Sequence, residues 1–442
     1  MKRMKKVFIY FLFLISLSVI LYFWSSHSVI LLYQGTGTIL IAFGRLFGLL
    51  AVYFVLLQFL LIGRVLWIEK IFGLDKLSRI HHLNGEFSIL FILLHPIFLT
   101  FGYAISSKQN VVAQFLTFLT AYEDVFMAFL AAMIFITVVF LSIYIVRKKL
   151  KYETWYFIHL LTYVAIILAW GHQLKNGEDF LTNRWFVYYW YLLYIFVFGQ
   201  VIIFRFLRPF YLFYKHGFIV EKIVKENDEV NSIYISGRKM KQFKVKAGQF
   251  MIFRFLAKHF WWQAHPFSLS KQPDGKTIRI TPKNVGDFTN LIPQIAPNTP
   301  ILIDGPYGTF TKEVAKRNKI LFIAGGIGIT PIRSLIEETA KKGKDIVLLY
   351  SNKTKKEIVF KKEMDDLSRK YHFPVYYFLS QEKDPQFIGG RIERSKIEMM
   401  VADLKEREIY ICGPSTMIDS IKKDLHSLGV PKSSLHFEKF SL

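Results

Sequence analysis

The sequence predicts a membrane α-helical bundle of six transmembrane helices, followed by an antiparallel β-barrel domain and an α/β nucleotide-binding domain. Of the 442 residues, 52% are apolar, and the mean hydropathy is +0.31, which is high for a soluble protein. The apolar excess lies in residues 1–210, whereas charged residues, Gly and Pro recur at ordinary frequency from about Lys215 onward. In this second part, short apolar strands precede a buried strand, a glycine-rich turn and a helix. We therefore expect domains over residues 1–210, 211–315 and 316–442.

The charge and cysteine content argue against several kinds of site. The net charge is +24, but no nucleic-acid-binding motif is present, and the aromatic residues lie mainly in apolar spans rather than between basic residues. We therefore expect no nucleic-acid partner. Cys412 is the only cysteine, which excludes a disulfide framework, a CxxC zinc site and a CxxCH motif for covalent haem.

Six apolar segments are long enough to cross roughly 30 Å of hydrocarbon at about 1.5 Å per residue. They cover residues 7–24, 39–68, 80–105, 126–146, 155–171 and 185–207. Basic residues before the first segment are also typical of a signal peptide. No clear small-residue cleavage site follows Trp24, so we expect an uncleaved helix.

Lysine and arginine are unevenly distributed between the two sets of loops. One set contains Lys2, Arg3, Lys5, Lys6, Lys70, Lys76, Arg79, Arg147, Lys148, Lys149, Lys151, Arg205 and Arg208. The other set contains little beyond Lys108, Lys175 and Arg184. By the positive-inside rule, both termini and the second half of the chain face the cytosol. Arg45 remains as a charge inside the second segment near its outer end, where a partner is expected because an isolated intramembrane charge is costly.

Five of the twelve histidines lie in, or directly beside, the third and fifth segments: His81, His82, His95, His159 and His172. A single intramembrane histidine is usually a hydrogen-bonded helix contact. Two helices that each carry a histidine near both ends are harder to explain in that way, because each desolvated imidazole needs a partner or a metal.

The spacing of these histidines supports ligands at two depths. His81 and His95 are 14 residues apart, which is a rise of about 21 Å and brings them within about 40° of one helix face. His159 and His172 are 13 apart, which leaves a rotation of about 220° on an ideal helix, so a local distortion near Gly171 is needed. Paired across the two helices, the four imidazoles can form two stacked bis-histidine iron sites.

The motifs around these histidines resemble the ferric reductase-like transmembrane superfamily, which includes the NADPH oxidases. The segment HHLNGEFSILFILLH resembles the family signature with a second histidine 14 residues later, HLLTYVAIILAWGH has the family's 13-residue spacing, and GRLFGLL around Arg45 resembles its second helix. The resemblance implies two b-type haems, with His81 and His159 on the inner one and His95 and His172 on the outer one. His82 stands where the family usually has a basic residue and is the alternative inner ligand.

The predicted barrel contains two motifs of a flavin site. HPFSLS begins at His265, and ITPKNVGDFTNLI leads to a helix expected near Thr289 whose amides can receive a pyrophosphate. Together they resemble the FAD domain of the ferredoxin reductase family. The resemblance implies FAD contacts from His265, Pro266, Phe267, Ser268 and Thr289, and GPYGTF matches the turn that joins this domain to the next.

The last part opens with KILFIAGGIGITPIRSLIEE, a pattern typical of a buried strand, a glycine turn and a helix that bind phosphate. IYICGPSTMI resembles the nicotinamide-side loop of the same family. The implied NAD(P)H contacts are Gly325, Gly326, Gly328, Thr330 and Pro331 in the first segment, and Cys412, Gly413 and Pro414 in the second.

Cofactor preference and flavin shielding depend on single residues. No acidic residue follows the strand DIVLLY to bind a ribose hydroxyl, and Lys353 is available for a 2′-phosphate, which favours NADPH over NADH; the alternative is a solvated lysine. The tail HFEKFSL is similar to the family's E-x-F-x-aromatic ending, whose aromatic stacks on the flavin. Leu442 occupies that last position, so either Phe440 takes the role or the flavin is less shielded.

These parts predict a transmembrane oxidoreductase that moves electrons from cytosolic NADPH through FAD and two haems to an external acceptor. Oxygen, giving superoxide, is the first candidate acceptor, and a ferric or cupric chelate is the second. Leu99 stands where some oxidases of the superfamily carry an external histidine, and the external loops lack a rich metal-binding cluster. A third possibility is a flavoprotein that reduces a quinone or a cytosolic partner.

The resemblance also implies the protein's setting. We expect a multi-pass protein of a bacterial plasma membrane, in contact with lipid and with no obligatory subunit. Arg45 can attract superoxide or balance a haem propionate, and the alternative is a snorkelling arginine.

Overall fold

The computed structural model describes residues 2–143, 148–150, 152–258 and 260–439. The chain divides into two compact units, residues 1–205 and 206–442. Within the described residues, six helices are long and apolar enough to cross a membrane: Met4–Ser28, Thr36–Ile62, Leu74–Ser107, Val125–Ser142, Thr154–Asn176 and Arg184–His216. The six apolar helices expected from hydropathy are therefore confirmed.

The first unit is entirely helical. Its helices are α1 (Lys2–Ser28), α2 (Thr36–Ile62), α3 (Leu66–Phe72), α4 (Leu74–Ser107), α5 (Val111–Ala121), α6 (Val125–Ser142), α7 (Tyr152–Leu168), α8 (Trp170–Asn176), α9 (Glu178–Thr182) and α10 (Arg184–Val201). A π-helical segment, Ile202–Leu207, then leads into α11 (Arg208–His216), which belongs to the second unit.

The helix boundaries differ from the hydropathy segments in three places. The second segment was expected to run to residue 68, but α2 ends at Ile62 because Gly63 follows as the C-cap and Arg64 adopts a left-handed φ of 59°. The end of the fourth segment lies partly outside the described residues, since α6 ends at Ser142 and residues 144–147 are not described. The short apolar helix α5 was missed because 11 residues are too few to span a bilayer.

The fifth membrane helix is interrupted where the histidine spacing requires a distortion. Helix α7 ends at Leu168, and α8 begins at Trp170. The carbonyl of Ala169 accepts hydrogen bonds from His172 Nδ1 (2.8 Å) and Gln173 Nε2 (2.7 Å). The distortion therefore lies two residues before Gly171, and side chains satisfy the carbonyl at the break.

The second unit begins with two three-stranded antiparallel sheets. Their strands are β1 (Ile219–Lys225), β2 (Asn231–Ser236), β3 (Phe250–Phe255), β4 (His265–Ser268), β5 (Ile278–Ile280) and β6 (Ile301–Tyr307), in the orders β1-β2-β5 and β4-β3-β6. Isolated bridges, Leu269 to Ile280 and Ile219 to Pro300, connect the two sheets instead of a continuous ladder. The expected barrel is thus not clearly closed, because β5 has only three residues and Pro282 and Pro300 lack the N–H that would extend the ladders.

A six-stranded parallel sheet with helices on both faces completes the unit. The strands β7 (Lys319–Gly325), β8 (Asp345–Asn352), β9 (Val375–Leu379), β10 (Ile388–Gly389), β11 (Glu408–Gly413) and β12 (Leu435–Lys439) have the order β10-β9-β8-β7-β11-β12. The helices of the unit after α11 are α12 (Asp287–Leu291), α13 (Ile329–Ala340), α14 (Lys361–Tyr371), α15 (Arg394–Met400) and α16 (Ser415–Ser427). Apolar clusters cover both faces of the sheet, which confirms the α/β architecture.

Candidate functional site

Two histidine pairs join the third and fifth membrane helices. The rings of His81 and His159, here called the inner pair, have centroids 6.2 Å apart. The rings of His95 and His172, the outer pair, have centroids 6.3 Å apart. Since His81 and His95 share the uninterrupted helix α4, the two pairs lie at different depths, separated by about 21 Å along its axis. His82 is exposed, and its ring lies 6.5 Å from that of His81.

The separation within each pair fits two imidazoles that share one metal ion. Metal–imidazole bonds are about 2.0–2.1 Å long and a ring nitrogen lies about 1.1 Å from the ring centre, so ligands on opposite sides of a metal have centres about 6.3 Å apart. Among the described residues, no group of three or more His, Cys, Asp or Glu side chains is placed to hold a metal ion. Two axial histidines are the donor set that a haem iron takes, since the porphyrin supplies the other ligands.

The outer pair is oriented by backbone carbonyls. His95 Nδ1 lies 2.8 Å from the carbonyl oxygen of Gly44, and His172 Nδ1 lies 2.8 Å from that of Ala169. A carbonyl can only accept, so each Nδ1 carries the hydrogen and each Nε2 keeps its lone pair for a ligand. A Cβ at Gly48 would lie 2.6 Å from His95 Nδ1, so the ring fits there only because residue 48 is glycine.

The inner pair differs in its surroundings. The Nδ1 atoms of His81 and His159 are both buried without a well-formed hydrogen bond to any residue that the structure describes. Trp155 packs on His159, with ring centroids 5.1 Å apart. Two buried imidazoles are costly in an apolar bundle unless a partner or a metal compensates for their lost hydration, so this site also has the chemistry of a ligand pair.

A cavity of about 390 Å³ lies beside the outer pair. It is lined mainly by apolar side chains, including Phe115 and Phe118 of α5, and by Leu99. Arg45 lies on its wall, with Nη2 2.6 Å from Glu178 Oε2. The expected partner of the intramembrane arginine is therefore Glu178, which the sequence reasoning missed although the acidic pair Glu178-Asp179 follows His172 by only six residues.

The HPFS strand and the GDFT turn are in contact in the second unit. The ring of His265 stacks on that of Phe288 at 3.9 Å, and its Nε2 lies 3.1 Å from Gln263 Oε1. Pro266 and Phe267 pair with β3, and the Ser268 hydroxyl is buried without a described hydrogen-bond partner, which leaves it available to a ligand. The stack on Phe288 was not foreseen, because sequence spacing does not reveal that the two motifs touch.

Thr289 shapes the turn rather than starting the helix. Its Oγ1 accepts hydrogen bonds from the backbone amides of Val285 (2.9 Å) and Gly286 (3.1 Å). Helix α12 begins at Asp287, two residues earlier than the sequence predicts. The threonine hydroxyl therefore holds the glycine turn in place.

The two predicted nicotinamide segments are adjacent. Strand β7 ends at Gly325, a 3₁₀ turn covers Gly326–Gly328, and α13 follows. The ladder pairs Cys412 with Ala324, and a Cβ at Gly328 would overlap the Cys412 carbonyl, so this glycine permits the close packing of the two segments. Thr330 and Pro331 are buried in the first turn of α13, where Thr330 Oγ1 donates to the Ile327 carbonyl at 3.0 Å.

The remaining site residues have simpler positions. Gly413 ends β11, and Pro414 precedes α16. Lys353 is exposed directly after β8. Phe440 lies outside the described residues, as does Leu442, so the choice between them at the flavin stays a prediction.

Three protein-family models match successive parts of the chain. Residues 47–170 match the "Ferric reductase like transmembrane component", residues 217–311 an "FAD-binding domain" and residues 322–423 an "Oxidoreductase NAD-binding domain". The first match contains His81, His95 and His159 and ends two residues before His172. The second match contains the HPFS strand, and the third contains the glycine turn.

Curated proteins with similar sequences match about half of this chain. The ferredoxin reductase component of 3-ketosteroid-9-alpha-monooxygenase from Rhodococcus rhodochrous is 26% identical over 50% of this chain and 64% of its own length. A flavohemoprotein from Candida norvegensis is 27% identical over 50% of this chain and 56% of its own length. The chain thus spans less than two thirds of either relative.

A solved structure gives a similar match. The flavohem-like FAD/NAD-binding domain of nitric oxide dioxygenase from Vibrio cholerae covers 50% of this chain and 97% of that domain, with 22% identity and a TM-score of 0.47. The chain thus joins a region that matches a ferric reductase-like transmembrane component to regions that match FAD-binding and NAD-binding domains, and it is an oxidoreductase.

Proposed function

We propose that this oxidoreductase carries electrons from NADPH, through FAD and two b-type haems, to oxygen on the far side of the membrane, producing superoxide. The observation that carries the proposal is the pairing of four histidines at two depths, with ring separations of 6.2 and 6.3 Å. When bound, FAD takes up a hydride and releases single electrons, and the haems carry those electrons one at a time.

The chain's own residues divide this task. The amides of Gly325, Gly326 and Gly328, at the N-terminus of α13, are suited to the phosphates of NADPH, and NADH is the alternative donor. Cys412 borders the same turn on the nicotinamide side. The strand His265–Ser268 and the Thr289 turn hold the flavin, with the buried Ser268 hydroxyl free to bond it.

In the membrane, His81 and His159 are the proposed inner ligands, and His95 and His172 the outer ones. The exposure of His82 and the position of His81 opposite His159 favour His81. A haem held by two of these histidines would have no open position on its iron, so each pair would hold a group that supplies electron transfer rather than acceptor binding at the metal.

The surroundings of the outer pair support a small, uncharged acceptor. The cavity beside the outer pair is lined mainly by apolar side chains. The cationic side chain on its wall, Arg45, is already paired with Glu178. Arg45 is suited to attract an anionic product or a propionate, because its ion pair involves a half-exposed glutamate and can be exchanged. The alternative acceptor, a ferric or cupric chelate, is favoured by the description of the matching transmembrane family.

The orientation follows from the asymmetry of Lys and Arg. We place both termini and the nucleotide-binding unit in the cytosol of a bacterium and the outer pair towards the exterior of its plasma membrane. Electrons then leave the cell, and the cytosolic NADPH pool is the donor.

The test uses the detergent-solubilised full chain with NADPH. In air, dye reduction that superoxide dismutase abolishes supports the oxidase. Without oxygen, reduction of a ferric chelate at a comparable or higher rate supports the metal reductase instead. A matched His95→Ala variant is expected to lose acceptor reduction while NADPH still bleaches the flavin. Absence of a haem spectrum from the purified wild type would overturn both the oxidase and the metal reductase. The remaining possibility would then be a flavoprotein that reduces a quinone or a cytosolic partner.

A further inference from the structure

A buried arginine links the two cofactor-binding parts of the second unit. Arg279 lies on β5, within the part that matches the FAD-binding domain, and is only 2% exposed. Its Nη1 and Nη2 donate to Glu363 Oε1 (2.7 Å) and Oε2 (3.0 Å). Glu363 lies on α14, within the part that matches the NAD-binding domain. A bidentate arginine–carboxylate pair is geometrically specific, so it fixes both distance and angle between the two parts.

On the flavin side, the same guanidinium holds the segment that follows the HPFS strand. Arg279 Nη2 donates to the Ser270 carbonyl (2.8 Å), and Nε donates to Ser270 Oγ (3.0 Å). Ser270 follows the end of β4 by only two residues. The position of Arg279 is therefore tied to the strand proposed to lie along the flavin.

On the nicotinamide side, Glu363 continues the connection to α13. Arg333 of α13 donates from Nε to Glu363 Oε2 at 2.8 Å. Helix α13 also contacts the flavin part directly, since Ser334 Oγ donates to the Lys271 carbonyl at 3.1 Å. Helix α13 starts at the glycine turn, which is the proposed phosphate site. The hydrogen bonds of Arg333 and Ser334 therefore link this site to the segment that follows the proposed flavin strand.

We propose that Arg279 and Glu363 are positioning residues that set the distance between the nicotinamide and the flavin. This inference rests on the proposed hydride transfer from NADPH to FAD. Hydride transfer needs the reacting atoms in near-contact, and a displacement of about 1 Å far from the chemistry can slow a reaction by about 100-fold. Arg279 and Glu363 are not among the residues proposed to bind FAD or NADPH. Both therefore act through the geometry that they impose on the two parts.

The pair is ionised at neutral pH. Burial alone would raise the pKa of Glu363, but hydrogen bonds and ion pairs with Arg279 and Arg333 outweigh it and hold that pKa below its ordinary value of 4.5. The ion pair between Arg279 and Glu363 is therefore formed at the neutral pH at which NADPH oxidation is proposed.

The chain offers a matched control for this pair. Asp403 accepts from Arg407 Nε at 2.6 Å and from Lys319 Nζ at 2.9 Å, so it also serves two cations, and its side chain is 27% exposed against 34% for Glu363. Lys319 begins β7, and Asp403 and Arg407 lie in the segment that leads into β11, so these residues are at the opposite ends of the strands from the glycine turn. Asp403→Asn therefore removes a comparable ion pair without touching the connection between the two parts.

The experiment compares wild type, Glu363→Gln and Asp403→Asn as full-length, flavin-loaded protein. Stopped-flow mixing with saturating NADPH without oxygen measures the rate of flavin bleaching, and thermal unfolding measures stability. We expect flavin reduction to slow about tenfold or more in Glu363→Gln but not in Asp403→Asn, with FAD content unchanged. Equal rates in wild type and Glu363→Gln, or equal slowing in both variants, would overturn the inference.

A second variant decides the case if Glu363→Gln does not retain FAD. Arg279→Lys keeps the positive charge but cannot form the bidentate pair with Glu363. Slower flavin bleaching at full FAD content supports the inference, and an unchanged rate overturns it. If wild type itself does not bleach with NADPH, the proposed function fails instead, so the two failures are distinguishable.

Discussion

Replacing Gly48 with alanine tests the proposed outer haem site without altering a ligand. The new Cβ would lie 2.6 Å from His95 Nδ1 and 2.7 Å from Cε1. To reach an ordinary contact of 3.4 Å, the ring has to move by about 0.8 Å, which is several times the roughly 0.2 Å tolerance of a metal–ligand distance. The shift also disrupts the Nδ1 hydrogen bond to the Gly44 carbonyl, and loss of such an orienting partner typically lowers metal affinity by about 10–100-fold.

The assay is the haem content and reduced-minus-oxidised spectrum of the purified variant. We expect Gly48→Ala to lose the outer haem, keep the inner one and keep flavin. Gly199→Ala is the matched control, because Gly199 also lies in a membrane helix but a Cβ there meets nothing within 4 Å. Two haems per chain with an unchanged spectrum in Gly48→Ala would refute the assignment of His95, and equal haem loss in Gly199→Ala would show a general packing effect.

Three further predictions follow from the sites. His159→Ala should lose the inner haem while flavin content persists, as measured by haem-to-flavin ratio; full haem retention would remove the inner-ligand assignment. Lys353→Glu should raise the KM for NADPH more than that for NADH, because a 2′-phosphate then meets a like charge; an equal change in both would indicate a merely solvated lysine. Since the pKa of Glu363 is depressed, the stability that its ion pair with Arg279 contributes is present above pH 4.5 and is lost as the pH falls through the lowered value; thermal unfolding of Glu363→Gln should be less acid-sensitive than that of wild type.

The fold could be predicted in outline because each half has a strong local signal. Runs of about 20 apolar residues identify membrane helices, and the strand, glycine turn and helix around Gly326 identify a nucleotide-binding sheet. The closure of the barrel could not be predicted. It depends on whether short strands such as β5 pair across sheet edges, and pairing between distant segments has no signature in local sequence.

The arrangement of the ligands shows the same division. A spacing of 14 residues aligns His81 with His95 on any regular helix, so the sequence alone determined that one helix offers imidazoles at two depths. A spacing of 13 does not align His159 with His172. At the break, the Ala169 carbonyl is satisfied by the side chains of His172 and Gln173. Only the tertiary structure decided that His172 then lies opposite His95, because their contact depends on the packing of two separate helices.

The partners of charged residues were likewise decided by tertiary contact. Sequence chemistry required some partner for Arg45 in the membrane, but nothing local could single out Glu178, which lies 133 residues later. In the same way, composition could not reveal that Arg279 and Glu363 meet across two domains. Residue types and periodicity thus determined which chemistry the chain carries, whereas long-range packing determined which groups meet, because contacts between distant segments depend on the complete fold rather than on neighbouring residues.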